Sequence, residues 1–259
     1  MKGRIVTRGG GLAVLVVTAA LAVGITTVAS GQDDSYYYPL CRPIVTTNTI
    51  LGNAGNNVLN GTPQRDLILA FGGNDRADGR ANRDCLLMGE GNDRATGGSQ
   101  DDRVFGEQGD DRVAGGLGND RVDGDSGDDD VEGNSGRDRL TGDEGDDTVF
   151  GGPDEDNGSG GDGDDRVSGG DDDDFLAAGP GDDRVNGNNH RDHVSGGPDD
   201  DRVIGGRRRD ELFGRQGNDR LFAEDDRRDA IVDCGSGQDF AEVDPVDPVF
   251  NCETVVEVP

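Results

Sequence analysis

The residues that could do chemistry in this chain are aspartates, and they recur at a fixed spacing. From Gly52 to Phe222 the sequence reads in rows of nine, G-x-x-G-x-D-x-U-x, with U aliphatic. Gly106-Glu107-Gln108-Gly109-Asp110-Asp111-Arg112-Val113-Ala114 is one row, and Gly115 to Asp123 is the next. The sixth position is Asp in every row but the first, where Asn57 stands. Carboxylates repeated on a glycine-rich backbone suit the coordination of a hard divalent cation. Such an ion takes about 6 to 8 oxygen ligands and readily mixes carboxylates with backbone carbonyls. Glycine bares those carbonyls and tolerates the φ > 0 values that curl a backbone around an ion. Catalysis by paired carboxylates needs two residues set apart by different environments, whereas nearly every Asp here recurs with the repeat. No enzymatic activity is expected.

Ligands of this kind must be stacked, and the row itself says how. A short strand over positions 7 to 9 would turn U inward and positions 7 and 9 outward, because side chains alternate along a strand. Arg recurs at position 7, as in Arg76, Arg103, Arg112, Arg121, Arg139, Arg184, Arg202 and Arg220, and reads as solvated counter-charge. Position 4 adds a longer period. Odd rows carry Gly there (Gly55, Gly73, Gly91, Gly109, Gly127, Gly145, Gly163, Gly181, Gly217), with Asp199 the exception. Even rows carry Gly only at Gly118 and Gly136, and otherwise Gln64, Asn82, Gln100, Asp154, Asp172, His190 or Arg208. An alternation of this period is what two rows per coil would produce, with odd turns stacked on one edge and even turns on the other.

These rows resemble the glycine-rich nonapeptide repeats of the RTX, or hemolysin-type, calcium-binding family. The resemblance implies an all-β fold, a right-handed parallel β-roll (a β-helix solenoid) with two nonapeptides per coil. Six residues of each row would form a turn and three a strand, with several Ca2+ ions between stacked turns. It implies the position-6 carboxylates as ligands: Asp75, Asp93, Asp102, Asp111, Asp120, Asp129, Asp138, Asp147, Asp165 and Asp183. Turn carbonyls, such as those of Gly91, Gly109, Gly127 and Gly145, would join them. The odd edge is expected to hold the more continuous ladder. The even edge is expected to be partly degraded, best preserved at Asp102, Asp120 and Asp138, where Gly118 and Gly136 complete the turns. The alternative is that position 4 tolerates polar residues and both edges bind equally.

Composition agrees with a cation as partner. The chain has 55 acidic against 25 basic residues, a formal charge of -30, and only 31% hydrophobic and 4% aromatic residues. Low apolar content with high charge is the signature of a chain that cannot offset its ordering entropy alone. Metal-free chain is therefore expected to be mostly disordered and to fold on calcium, so that binding free energy becomes folding free energy. A disordered polyanion is the opposing reading. Nucleic acid and anionic membrane would be repelled, and neither a basic stripe nor an aromatic platform is present.

The ends differ from the middle. Residues 1–30 read as a secretory signal peptide, with Lys2, Arg4 and Arg8 ahead of an apolar Leu12–Val23 run and small residues at Thr27-Val28-Ala29-Ser30. An uncleaved anchor is the alternative. The mature chain is expected outside the cell, with no membrane insertion. Residues 31–51 and 223–259 read as capping segments around a roll at 52–222. Cys41, Cys85, Cys234 and Cys252 fit disulfides in an oxidising compartment. Pairing Cys41 with Cys85 and Cys234 with Cys252 would staple each end, but four cysteines allow three connectivities. Gly158, at a U position, is expected to mark a weak coil. His190 and His193 read as a solvated pair. A second functional reading is a cell-surface or matrix spacer, an adhesin-type rod that calcium stiffens; its envelope or extracellular partner is unknown.

Overall fold

The computed structural model describes Cys41, residues 48–223 and residues 228–258. The expected signal peptide and most of the 31–51 segment lie outside the described residues. Among the described residues, twenty-four strands, β1 (Asn48–Asn53) to β24 (Thr254–Glu257), form two 12-stranded sheets. Odd-numbered strands make one sheet and even-numbered strands the other, every pairing is parallel, and each strand bonds to the strand two along. In the first sheet Arg103 of β7 (Arg103–Gln108) faces Arg121 of β9 (Arg121–Ser126), which faces Arg139 of β11 (Arg139–Glu144). This is the all-β parallel roll with two rows per coil.

The U residues do face inward. Val104, Val113, Val122 and Val131 are wholly buried, and one file of such side chains from each sheet meets its counterpart to form the core. The strands, however, are mostly six residues long rather than three. Pairing runs on through positions 1 to 3 of the next row, because the glycine at position 1 stays extended. The backbone then turns at position 2 in the left-handed region, as at Glu107 (φ 75°), Asp125 (φ 78°) and Asp143 (φ 80°). On β8 (Arg112–Leu117) and β11 positions 8 and 1 are the buried ones.

Three places singled out by the sequence take a definite form in the structure. Gly158 does not open its coil: β13 (Asn157–Asp162) keeps register on both sides, and Leu176, Val167 and Val149 close over it. Positions 7 and 9 are not all solvated either. Leu67, Leu69, Cys85, Leu87 and Phe105 form a second apolar cluster on the outside of the first sheet, with Cys41 disulfide-bonded to Cys85 on top of it. The C-terminal segment continues the roll. β21 (Ile231–Ser236) and β22 (Phe240–Val243) continue the two sheets, and Cys234–Cys252 ties β21 to the last coil. Chain inserted between these coils lengthens the local repeat without breaking the pairing.

Candidate metal centre

Every position-6 carboxyl stands at a corner where the chain passes from one sheet to the other. One of its oxygens is used by the fold. Oδ1 of Asp111 accepts the backbone N–H of Asp93, Oδ1 of Asp129 that of Asp111, and Oδ1 of Asp147 that of Asp129, at 2.7 to 2.8 Å. This odd-edge ladder starts at the N–H of Asn57 and ends on Glu253. The even edge carries its own, from Asp66 through Asp84, Asp102, Asp120 and Asp138 to Asp210, Asp229 and Asp247. Both ladders are unbroken.

The other oxygen is left over. Oδ2 of each of the ten expected aspartates is buried with no hydrogen-bond partner, and so is that of Asp84, Asp156, Asp174, Asp192, Asp201, Asp219 and Asp239. Next to it lies the reason for glycine at position 1. A Cβ on Gly97 would stand 2.6 Å from Asp102 Oδ2 and 2.7 Å from the carbonyl oxygen of Gly115, one coil on. The same pair of oxygens, one carboxylate and one carbonyl, flanks Gly106, Gly133 and Gly151. Buried orphan carboxylate oxygens beside backbone carbonyls, with no nitrogen or sulfur among them, fit a hard cation such as Ca2+. The ion would supply the positive charge these oxygens lack.

Electrostatics record that lack. Burial first, and neighbouring carboxylates after it, push Asp111, Asp129, Asp138 and Asp147 up to about 7, against the lowering effect of the N–H each accepts. Asp102 is pushed up to about 9 and Asp84 to about 8 by the same causes. Without a cation the folded roll holds protons that ordinary aspartates release.

The two edges differ less than expected at position 6, and elsewhere they differ in detail. Position 4 takes the left-handed conformation on both edges, with Gly109 (φ 121°) and Gly127 (φ 126°) on one and Asn82 (φ 73°), Gln100 (φ 77°) and Asp172 (φ 73°) on the other. Short polar side chains accept that conformation at modest cost. On the odd edge the carbonyls of Gly91, Gly109 and Gly127 each point at the next coil's position-4 glycine, Gly109, Gly127 and Gly145 in turn. Position 5 distinguishes the edges further. The odd edge presents Asp110, Asp128, Asp146, Asp164 and Asp182, each accepting the position-5 N–H of the following coil. The even edge intersperses arginines, and Arg83 pairs with Asp101 and Arg137 with Glu155. Against this, Ala70, Met88 and Ala178 place real side chains at position 1 in the rows of Asp75, Asp93 and Asp183.

The histidines are not brought together on a metal. His190 Nδ1 accepts the N–H of Asp172, while His193 stacks on Phe175 at 4.4 Å and meets Glu211 through Nδ1 at 3.2 Å. The expectation of a merely solvated pair missed that stack. The sequence reading named Asp102, Asp120 and Asp138 on the even edge but not Asp84, Asp156, Asp174, Asp192, Asp201, Asp219 or Asp239, whose Oδ2 atoms are equally buried and unpartnered. Their signal was the position-6 Asp itself.

Comparison with protein-family models matches the RTX calcium-binding nonapeptide repeat (4 copies) over residues 51–84, 89–122, 123–157, 159–194 and 195–227. A search of curated proteins finds no match.

Proposed function

Because the chain belongs to the RTX calcium-binding nonapeptide repeat family, we propose that it is a secreted, non-catalytic protein whose roll assembles when Ca2+ enters the corner sites. The single observation that carries this is the row of buried, unpartnered Oδ2 atoms beside position-1 glycines. Each is a desolvated negative charge with no counter-charge of its own, a state that is costly to bury unless paired or metal-bound. Calcium offsets it; protons do so only at the raised pKa values given above. The ligands are the ten position-6 aspartates from Asp75 to Asp183 already named, joined by Asp84, Asp156, Asp174 and Asp192, with turn carbonyls completing each shell.

Both edges bind, and the tightest stretch is Asp111 to Asp165 on the odd edge, where positions 1 and 4 are glycine and position 5 is acidic. On the even edge, Arg83 and Arg137 already neutralise part of the outer charge. The reading is tested by titrating metal-stripped protein with Ca2+ while following strand signal by circular dichroism. A folded spectrum that chelator leaves unchanged, or no strand signal at saturating calcium, refutes it. Replacing Asp111 and Asp129 by Ala should raise the calcium midpoint more than replacing Asp84 and Asp192; equal effects remove the ranking of the edges.

The stacking of all coils along one axis also favours a mechanical use, a spacer that calcium stiffens. Small-angle scattering separates the two states by length. A rod only in calcium fits this use, and a calcium-independent shape excludes it.

A further inference from the structure

On the outer face of the second sheet, position 7 is arginine in four successive coils. Arg166 of β14 (Arg166–Gly170), Arg184 of β16 (Arg184–Asn189), Arg202 of β18 (Arg202–Arg207) and Arg220 of β20 (Arg220–Ala223) are register partners, each of the next. Neighbouring strands lie about 4.8 Å apart, so the four form a file along the roll. They are eighteen residues apart in the chain, which is why the sequence shows no basic stripe and the fold does.

Arg166, Arg184 and Arg220 are exposed, Arg202 is half-buried, and among the described residues none of the four is in an ion pair. Elsewhere on the same sheet the fold answers such an arginine, since Arg112 pairs with its register partner Asp130. Here the positions beside the file are Ser168, Asn186, Ile204 and Phe222, then Gly170, Asn188 and Gly206, none of them acidic. Asp164, Asp182 and Asp200 precede the arginines by two residues, but they stand on the corner and spend Oδ1 on backbone N–H groups of the following coil. Arg202 lies instead over the Phe222 ring at 3.7 Å. Like charges opposite one another on neighbouring strands destabilise a sheet. An anion laid along the file removes that cost.

Spacing selects the anion. In an extended acidic peptide the carboxylates on one side fall about 6.6 Å apart, two residues on, out of step with the arginines. Nucleic acid carries one charge per about 1.7 Å of duplex axis, and its single strands need free aromatic faces to stack on, whereas the Phe222 ring lies under Arg202. A polysaccharide with one carboxylate per sugar advances by about one strand spacing per unit. Its hydroxyls would meet the hydrogen-bonded group of Ser168, Asn186 and Asn188 beside the file. We propose that this face binds a linear acidic polysaccharide, one carboxylate to each arginine. The proposal rests on the calcium reading above, because Ca2+ bound along the odd edge offsets the neighbouring corner carboxylates that would repel such a chain.

The probe is the galacturonic acid hexamer, titrated calorimetrically into the full chain at saturating calcium, with neutral cellohexaose alongside. The native chain should bind the acidic hexamer, release it as salt rises, and ignore cellohexaose. Arg166→Gln with Arg184→Gln should weaken binding on the order of tenfold, the combined effect of two exposed ion pairs, and leave the calcium midpoint of the strand signal where it was. Arg139→Gln, on the other sheet, should bind as the native chain does. Native protein that folds in calcium and ignores the hexamer overturns the proposal, and so does a double variant that binds undiminished. Equal or tighter binding of single-stranded DNA overturns the glycan as occupant. Salt-sensitive self-association that the double variant abolishes overturns it in favour of a second copy of the chain. Protein that folds and binds the hexamer in chelator refutes the calcium reading and leaves the arginine file standing as the glycan site.

Discussion

Oδ1 of Asp129 accepts the backbone N–H of Asp111, one coil back, at 2.7 Å, while Oδ2 of the same carboxyl is buried and unpartnered. One side chain thus holds the coil spacing with one oxygen and leaves the other for a cation. Asparagine separates these roles, since its Oδ1 still accepts but the charge is gone. Asp129→Asn should therefore increase residual strand signal in metal-free protein. It should also raise the calcium midpoint, on the order of tenfold, as expected when a site loses one ligand charge. Circular dichroism in chelator and across a calcium titration reads both. A variant weakened equally in the two states would mean that the carboxyl is only structural.

Acid should partly replace calcium. Burial raises the carboxyls of Asp93, Asp111 and Asp102 to about 6, 7 and 9, from 3.8 in free aspartate. Folded protein then binds more protons than unfolded protein throughout that window, so metal-free stability falls as pH rises from about 4 to 9. Metal-stripped protein should gain strand signal on moving from pH 8 to pH 5, and at pH 5 more calcium should be needed for the same occupancy. Loss of structure on acidification of the metal-free chain would contradict the burial of these groups.

Much of this was legible in the rows. The position-6 Asp, the inward U and the alternation at position 4 each state a spatial relation, because a residue nine or eighteen positions on meets the same surroundings. What the rows concealed is what breaks periodicity. Leu67-Ile68-Leu69 and Cys85-Leu86-Leu87 are apolar at three successive positions, so their outward members had to find cover, and they did so under Cys41. The even-edge turns were undervalued because left-handed backbone was equated with glycine, whereas Asn82, Asp154 and His190 also adopt it.

The Cys234–Cys252 bridge joins residues whose Cα atoms are 5.1 Å apart across a separation of 18. Closing a loop of that length is worth about 3 kcal/mol through the unfolded chain. Here it holds the final coil, where Val255 and Val256 are exposed and β24 has a neighbour on one side only. Replacing both cysteines by serine should fray residues 249–258 first, seen as faster amide exchange there, with coils around Val113 and Val131 protected as before. Uniform loss of protection along the roll would show that the bridge supports the whole array rather than its end.

Two glycines without positive φ should respond to alanine with opposite signs. At Gly97 the added methyl would meet Asp102 Oδ2 at 2.6 Å and the carbonyl oxygen of Gly115 at 2.7 Å, both anchored to paired backbone. Neither can retreat without shifting a ladder, so Gly97→Ala should cost about 1 to 3 kcal/mol, as overpacking does, and should also weaken calcium binding at Asp102. At Gly158 the same methyl would enter the core, with Leu176 Cδ2 at 3.2 Å, Val167 Cγ1 at 3.4 Å and Val149 Cγ1 at 3.7 Å. Only the end of a leucine side chain must move, and only by a few tenths of an ångström. Gly158→Ala should then stabilise by roughly 1 kcal/mol, from a buried methyl and a less flexible unfolded chain. Denaturant melts at saturating calcium give the sign of each change. Destabilisation at both positions would mean that the core near Gly158 is already full. Tolerance at Gly97 would mean that position-1 glycine does not reserve the space beside the carboxylate.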